Sequence, residues 1–288
     1  MMKKRRITQV VCALLYNCNF TGFMEGTLYQ GNVKGLCVPG LNCYSCPGAV
    51  AACPLGSIQS ALVSSRYKAP YYALGFLLLL GTLLGRFICG FLCPFGLIQE
   101  LLHKIPTPKI KKSKWTRRLS WLKYAILVIF VVLIPIILLE PGFCKYICPA
   151  GILEGGIPML IQNEWLREYV GWLFTWKCLI LVLCVAGAVF CYRFFCRFLC
   201  PLGAFYSMFN KTAVVRPRVN PHSCNGCGAC VAHCKMDIKH VGDRECISCM
   251  DCKQHCPRGA ISWGLAHQKP HTSKDGVAAK KAKTGPRV

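Results

Sequence analysis

Three stretches of this chain are apolar for long enough to cross a bilayer. Residues 71–92, 120–139 and 171–192 are dominated by Leu, Ile, Val, Phe and Ala, and Arg86 is the only charge in the first. A hydrocarbon core needs about 20 such residues per helical crossing, and each run reaches that length. A fourth stretch, 7–23, is shorter and contains Asn17 and Asn19. Beyond residue 210 no comparable run occurs, and the tail 268–288 is polar and basic without apolar periodicity.

Charge placement orients these elements. Four Lys or Arg lie within the first six residues, eight between Lys104 and Lys123, and sixteen from Arg193 onward. By contrast 24–70 has three (Lys34, Arg66, Lys68) and 140–170 has two (Lys145, Arg167). The positive-inside rule then places the N-terminus, the middle loop and the C-terminal part in the cytoplasm, on a multi-pass protein of the inner membrane. That arrangement requires 7–23 to cross as well; an interfacial helix is the alternative. The predicted fold is mainly α, a polytopic bundle of about four spans over residues 1–210. The formal charge of +24 follows this topology and gives no reason to expect nucleic-acid binding.

The 23 cysteines change the picture. Arg86-Phe-Ile-Cys89-Gly-Phe-Leu-Cys93-Pro-Phe-Gly recurs as Arg193-Phe-Phe-Cys196-Arg-Phe-Leu-Cys200-Pro-Leu-Gly, each at the inner end of an apolar run. A third copy, Cys144-x3-Cys148-Pro-Ala-Gly, lies in an outer loop, and Cys43, Cys46 and Cys53-Pro-Leu-Gly form a looser fourth. The chain thus reads as an internal two-fold repeat, with sites expected at the interface of its halves. Proline favours the first helical position, so each Cys-Pro sets a thiol at a helix N-terminus, where backbone N–H groups stabilise negative charge. Arg86 and Arg193, three residues before their cysteines, can offset the charge of a thiolate-bound cluster. Cys12, Cys18, Cys178, Cys184 and Cys191 lack partners at ligand spacing and are expected to fill apolar space. Disulfides compete for the outer cysteines, because that face can be oxidising.

The C-terminal spacing is more specific. Cys224-x2-Cys227-x2-Cys230-x3-Cys234 is followed by Cys246-x2-Cys249-x2-Cys252-x3-Cys256-Pro. This is the run of a bacterial two-cluster ferredoxin, in which the fourth cysteine of each run serves the other cluster. One [4Fe–4S] site is expected from Cys224, Cys227, Cys230 and Cys256, the other from Cys246, Cys249, Cys252 and Cys234, in a small α+β domain over 211–267. Lys235 stands where proline usually follows Cys234. Zinc spacing would differ, and His233, His240 and His255 read as surface residues. No P-loop, dinucleotide fingerprint or c-type haem motif occurs.

On these motifs, from Cys37 to about Trp263, the chain resembles the NapH/NosR-type membrane polyferredoxins. The resemblance implies electron transfer across a membrane between a quinol pool or cytoplasmic donor and a reductase. It departs in two ways: a large flavin-binding domain is missing, so a separate flavoprotein is an expected partner, and there are three Cys-x3-Cys-Pro motifs rather than two. The expectation is a wire. Beyond the two ferredoxin clusters it predicts one or two more in the membrane part: an inner centre on Cys89, Cys93, Cys196 and Cys200, and an outer one drawn from Cys37, Cys43, Cys46, Cys53, Cys144 and Cys148. A quinone site would fall at Glu100 and His103, which otherwise read as an interfacial helix surface. The rival functional reading is an accessory factor that reduces or delivers a metal to a partner enzyme.

Overall fold

The computed structural model describes residues 2–64, 70–110 and 112–264, so the tail reading for 268–288 lies outside the described residues. The chain is mainly helical. Among the described residues two helices are long and apolar enough to cross a membrane: Lys114–Ile137, of 24 residues, and Trp172–Phe190, of 19. Protein covers only 28% and 17% of their apolar windows. A soluble protein rarely leaves apolar surface of that extent in water. The outward Leu179, Val182 and Leu183 instead suit an apolar solvent.

The other two expected spans are shorter and broken. The run 71–92 forms a long helix over Tyr71–Leu84, breaks at Gly85, whose φ is +51°, and resumes only as the short Phe87–Phe91. A glycine accepts that backbone cheaply, and the turn lets Arg86 enter the protein interior. The run 7–23 forms Met2–Tyr16 and then Phe20–Glu25. It breaks at Asn17–Asn19 because Asn19 Nδ2 donates to the Pro47 carbonyl at 2.8 Å, tying the chain to a distant loop. Apolar content is a count along the sequence; these polar ties depend on what lies opposite.

Each tight cysteine motif has the same local form. A short helix (Phe87–Phe91, Gly142–Tyr146, Phe194–Phe198) leads into the Cys-Pro step. There the second cysteine's N–H returns to the carbonyl five residues back: Cys93 to Ile88, Cys148 to Phe143 and Cys200 to Phe195, at 3.1, 2.9 and 2.9 Å. Proline then opens the next helix at Pro94–Leu102 and Pro201–Phe209. The looser Cys53 motif opens Pro54–Ser64.

The C-terminal part is small and α+β. Strand β1 (Arg216–Val219) pairs antiparallel with β2 (Ile261–Gly264), Val219 opposite Ile261. Two acids of this part pin it to the helices. Asp237 takes Arg117 and Arg197, both at 2.8 Å, and Glu245 takes Arg86 and Lys123, at 2.7 and 2.6 Å. The basic residues read from topology are therefore partly spent on intramolecular docking.

Candidate metal centres

The structure gathers the cysteines into groups. In the C-terminal part, Cys234, Cys246, Cys249 and Cys252 line one cavity of about 120 Å³. Burial pushes the Cys234 thiol up to about 11 and the Cys252 thiol up to about 12. Neither is a free thiolate at neutral pH, so a metal binding there must displace the protons. Cys230 lies close to Cys224 and Cys227, and Cys252 faces Cys230, so the two ferredoxin groups adjoin. The strand pair, extended by Asn220 N–H to the Ala260 carbonyl at 2.8 Å, closes the loop that carries Cys224 four residues after one arm and Cys256 four residues before the other. His233, His240 and His255 are exposed.

The two cysteine runs also share a backbone. Gly226 and Gly228 have φ of +70° and +71°; Ser248 and Met250 occupy the same places in the second run at +54° and +60°. Glycine adopts this region freely, whereas other residues are strained in it.

Among the helices, Cys89, Cys93, Cys196 and Cys200 come together, all buried. Outside them, Cys43, Cys53, Cys144 and Cys148 line a cavity of about 410 Å³. Cys37 and Cys46 do not line it. Cys37 Sγ lies 3.7 Å from Ser57 Oγ, and Cys46 turns toward the Gly48 and Ala49 amides. No two sulfurs are joined among the described residues. No three Cys, His, Asp or Glu side chains there close on a single ion. A cubane instead needs four cysteines around a shared space, and each cavity is lined by four.

The Cys-Pro-x-Gly motif explains itself here. In the copies at Cys53, Cys93, Cys148 and Cys200 the glycine's N–H is aimed at the cysteine sulfur, Gly203 N at 3.4 Å from Cys200 Sγ. The glycine also makes room: a Cβ at Gly96 would press on Arg193, and one at Gly151 on Lys177 Nζ at 3.3 Å.

Arg86 and Arg193 are fully buried and swap halves. Arg86 donates to the Cys196 carbonyl at 3.3 Å, and Arg193 to the Cys89 carbonyl. Each also holds a carboxylate, Glu245 for Arg86 and Glu100 for Arg193. The reading of Glu100 as an interfacial helix surface is corrected. It is buried, and its oxygens take Arg5 (2.9 and 2.8 Å), Tyr192 (2.8 Å) and Arg193 (2.6 Å). Two buried cations demand a buried anion, which sequence alone could not pair. His103 is half-buried against the edge of Tyr192.

Several functional residues went unread in the sequence. Lys177, inside an apolar helix, reaches the outer cavity near Cys43 and Cys144. Six residues after Cys53, Cys93, Cys148 and Cys200 stands a polar residue: Gln59, Gln99, Glu154 and Tyr206. Each crosses to another part of the site: Gln59 to Phe143 N, Gln99 to Phe195 N, Glu154 to Cys43 N, and Tyr206 to the Pro39 carbonyl. The repeated Cys-Pro-x-Gly spacing was the signal that could have exposed them.

The groups are contiguous. A Cβ on Gly90, one residue after Cys89, would overlap the carbonyl of Ile247, one residue after Cys246. On the other side, the Leu41 amide bears on Cys93 and the next amide, Asn42, on Cys53. One peptide step of about 3.8 Å therefore joins the inner and outer groups. Tyr206, fully buried, lies within reach of Cys53, Cys89, Cys93 and Cys200 at once.

A model of the 4Fe–4S binding domain matches three segments, 70–113, 121–165 and 171–220. Each contains one apolar helix and one Cys-x3-Cys-Pro motif. The chain carries repeated 4Fe–4S binding segments, a pattern consistent with the NapH/NosR polyferredoxin type. An uncharacterised protein of Methanocaldococcus jannaschii is 28% identical over 75% of this chain and 88% of its own length. YccM of Escherichia coli, named a candidate electron transport protein, is 23% identical over 77% of this chain and 62% of its own. The regulatory protein NosR of Stutzerimonas stutzeri is 27% identical over 57% of this chain, which spans only 22% of that longer protein. No solved structure matches. These similarities support iron–sulfur electron transfer in the general sense.

Proposed function

We propose that this chain is a membrane-embedded electron conduit carrying four [4Fe–4S] sites in a row. The ligand sets are Cys224, Cys227, Cys230 and Cys256; Cys234, Cys246, Cys249 and Cys252; Cys89, Cys93, Cys196 and Cys200; and Cys43, Cys53, Cys144 and Cys148. The observation that carries this reading is their contiguity: Cys230 faces Cys252, Gly90 meets Ile247, and Leu41 and Asn42 bridge Cys93 and Cys53. When bound, the clusters supply one-electron carriers.

The chain's own residues do the rest. Buried Arg86 and Arg193 hold the backbone of the inner cysteines across the repeat and offset thiolate charge. The loop 37–43 folds inward, with Gly40 packed on Cys93, which brings the outer group toward the inner one. The step between them is on the order of 10 Å, two amide-to-sulfur contacts and one peptide. That is far less than the ~30 Å of a hydrocarbon core, so the sites need not sit at opposite interfaces. The exposed Cys224 and Cys227 mark the end at which a cytoplasmic partner, such as a separate flavoprotein, would exchange electrons. The outer cavity with Lys177 marks the other.

The test is the iron content of cysteine variants. Cys144→Ser should lower iron by about four per chain, one cubane, and leave the ferredoxin signals intact. Unchanged iron would remove the outer site from the row.

A further inference from the structure

We propose that Gln59 and Gln99 set the redox potentials of the outer and inner centres, each by donating one amide N–H to one cluster ligand. The inference rests on the four-site reading and goes beyond it. The two residues occupy the same place, six after the cysteine of Cys53-Pro-Leu-Gly and of Cys93-Pro-Phe-Gly. Both are buried, Gln59 at 0% and Gln99 at 2% exposure.

Their orientation is determined by the backbone. Gln59 Oε1 accepts the Phe143 N–H at 2.9 Å, and Gln99 Oε1 accepts the Phe195 N–H at 2.9 Å. A donor must meet an acceptor, so the oxygen of each amide is committed and the NH₂ is turned the other way. In both cases one N–H goes to the carbonyl four residues back, Leu55 or Phe95 at 3.3 Å, and the other meets sulfur: Gln59 Nε2 lies 3.3 Å from Cys144 Sγ, and Gln99 Nε2 lies 3.0 Å from Cys196 Sγ. The backbone bond is to the residue just before that cysteine, so the same amide both aims the donor and places the ligand.

The second half of the repeat does not return the contact. At the equivalent positions, Glu154 accepts from the Cys43 N–H and Tyr206 donates to the Pro39 carbonyl. Each quartet thus receives one side-chain amide donor, from the first half, on the leading cysteine of the second half's pair. Hydrogen bonds to cluster sulfurs favour the more negative, reduced state and raise the potential.

The experiment is EPR-monitored redox titration of anaerobically purified full-length protein, with iron counted per chain. Gln99→Glu keeps an acceptor for Phe195 and loses the donor; Gln99→Met can donate at no pH; the Gln59 variants mirror them. The expected result is full iron and a lower potential for the inner centre in the Gln99 variants, with the outer centre unmoved, and the reverse for Gln59. The expected size is a tenfold or greater change in the oxidised-to-reduced ratio at fixed potential, 59 mV for one electron. Full iron with both potentials unmoved would overturn the tuning role and leave the four-site reading standing. Variants that each lose their own cluster would overturn it too, since the amide would then only hold the cysteine. A wild-type protein with no signal beyond the ferredoxin clusters would overturn both.

Discussion

Arg86 and Glu245 form a 2.7 Å ion pair in which the arginine is fully buried, and each residue lies beside a cluster cysteine of its own part of the chain. Arg86 precedes Cys89 by three residues, and Glu245 directly precedes Cys246. Lys123 shares the same carboxylate at 2.6 Å. One side chain thus ties the helical part to the C-terminal part between Cys89 and Cys246, two of the candidate ligands.

Removing that anion leaves two buried cations without a partner, a change that costs about 3–5 kcal/mol in comparable sites. Glu245→Gln should undock the ferredoxin part, and limited proteolysis between residues 210 and 220 should accelerate in the variant. The same contact depends on pH. Burial pushes Glu245 up, but Arg86 and Lys123 outweigh it and hold the carboxyl below its usual value. Its contribution is therefore complete above about pH 4.3, the unperturbed value, and is lost as pH falls through the lower folded value. Protease sensitivity of the wild type should rise only below about pH 4, whereas the variant should show no such step.

Gly90 has a different role. Any side chain there meets the Ile247 carbonyl, and backbone cannot give way as a side-chain tip can. Gly90→Ala should cost about 1–3 kcal/mol by overpacking. Magnetic coupling between the inner and adjacent ferredoxin centres should weaken in the EPR spectrum while the iron content is kept. Unaltered coupling would mean that the two parts meet elsewhere.

Ser248 should tolerate replacement by glycine with a gain. It stands at φ +54°, is buried, and its hydroxyl has no hydrogen-bond partner among the described residues. Ser248→Gly removes left-handed strain and an unmet polar group, and should stabilise the ferredoxin part by about 1–2 kcal/mol. Thermal loss of the cluster absorbance would shift upward. A downward shift would show that the hydroxyl has a partner in the loaded protein.

The six outer cysteines should separate into two classes. Cys43→Ser, Cys53→Ser, Cys144→Ser and Cys148→Ser should each lose about four irons, one cubane per quartet. Cys37→Ser and Cys46→Ser should lose none, because those two sulfurs face Ser57 and backbone amides rather than the cavity. Iron analysis of the six variants checks this directly.

How far the sequence could be read follows from what kind of signal each feature leaves. Ligand spacing is local, so the ferredoxin quartets and the repeated Cys-Pro pairs are visible along the chain. The repeat itself suggests pairing them across the halves, inner with inner and outer with outer. The breaks at Gly85 and Asn17–Asn19 were not legible, because hydropathy averages over a window and a single tie such as Asn19 to Pro47 disappears in it. Glu100 was misjudged for the same reason: its role depends on Arg5 and Arg193, which lie about a hundred residues away on either side. The folding of loop 37–43 onto Cys93, which shortens the gap between the inner and outer groups, leaves no mark in the sequence. The glutamines six residues after Cys53 and Cys93 did leave one, but only an alignment of the repeats on their Cys-Pro steps reveals it.

The most direct test of the account is iron and acid-labile sulfide per chain in anaerobically purified protein, read together with EPR of the reduced state. Four quartets at four irons each predict about sixteen irons and an equal amount of sulfide, with interacting signals from adjacent centres. About eight irons, confined to ferredoxin-type signals, would contradict it and leave the Cys-Pro groups without clusters.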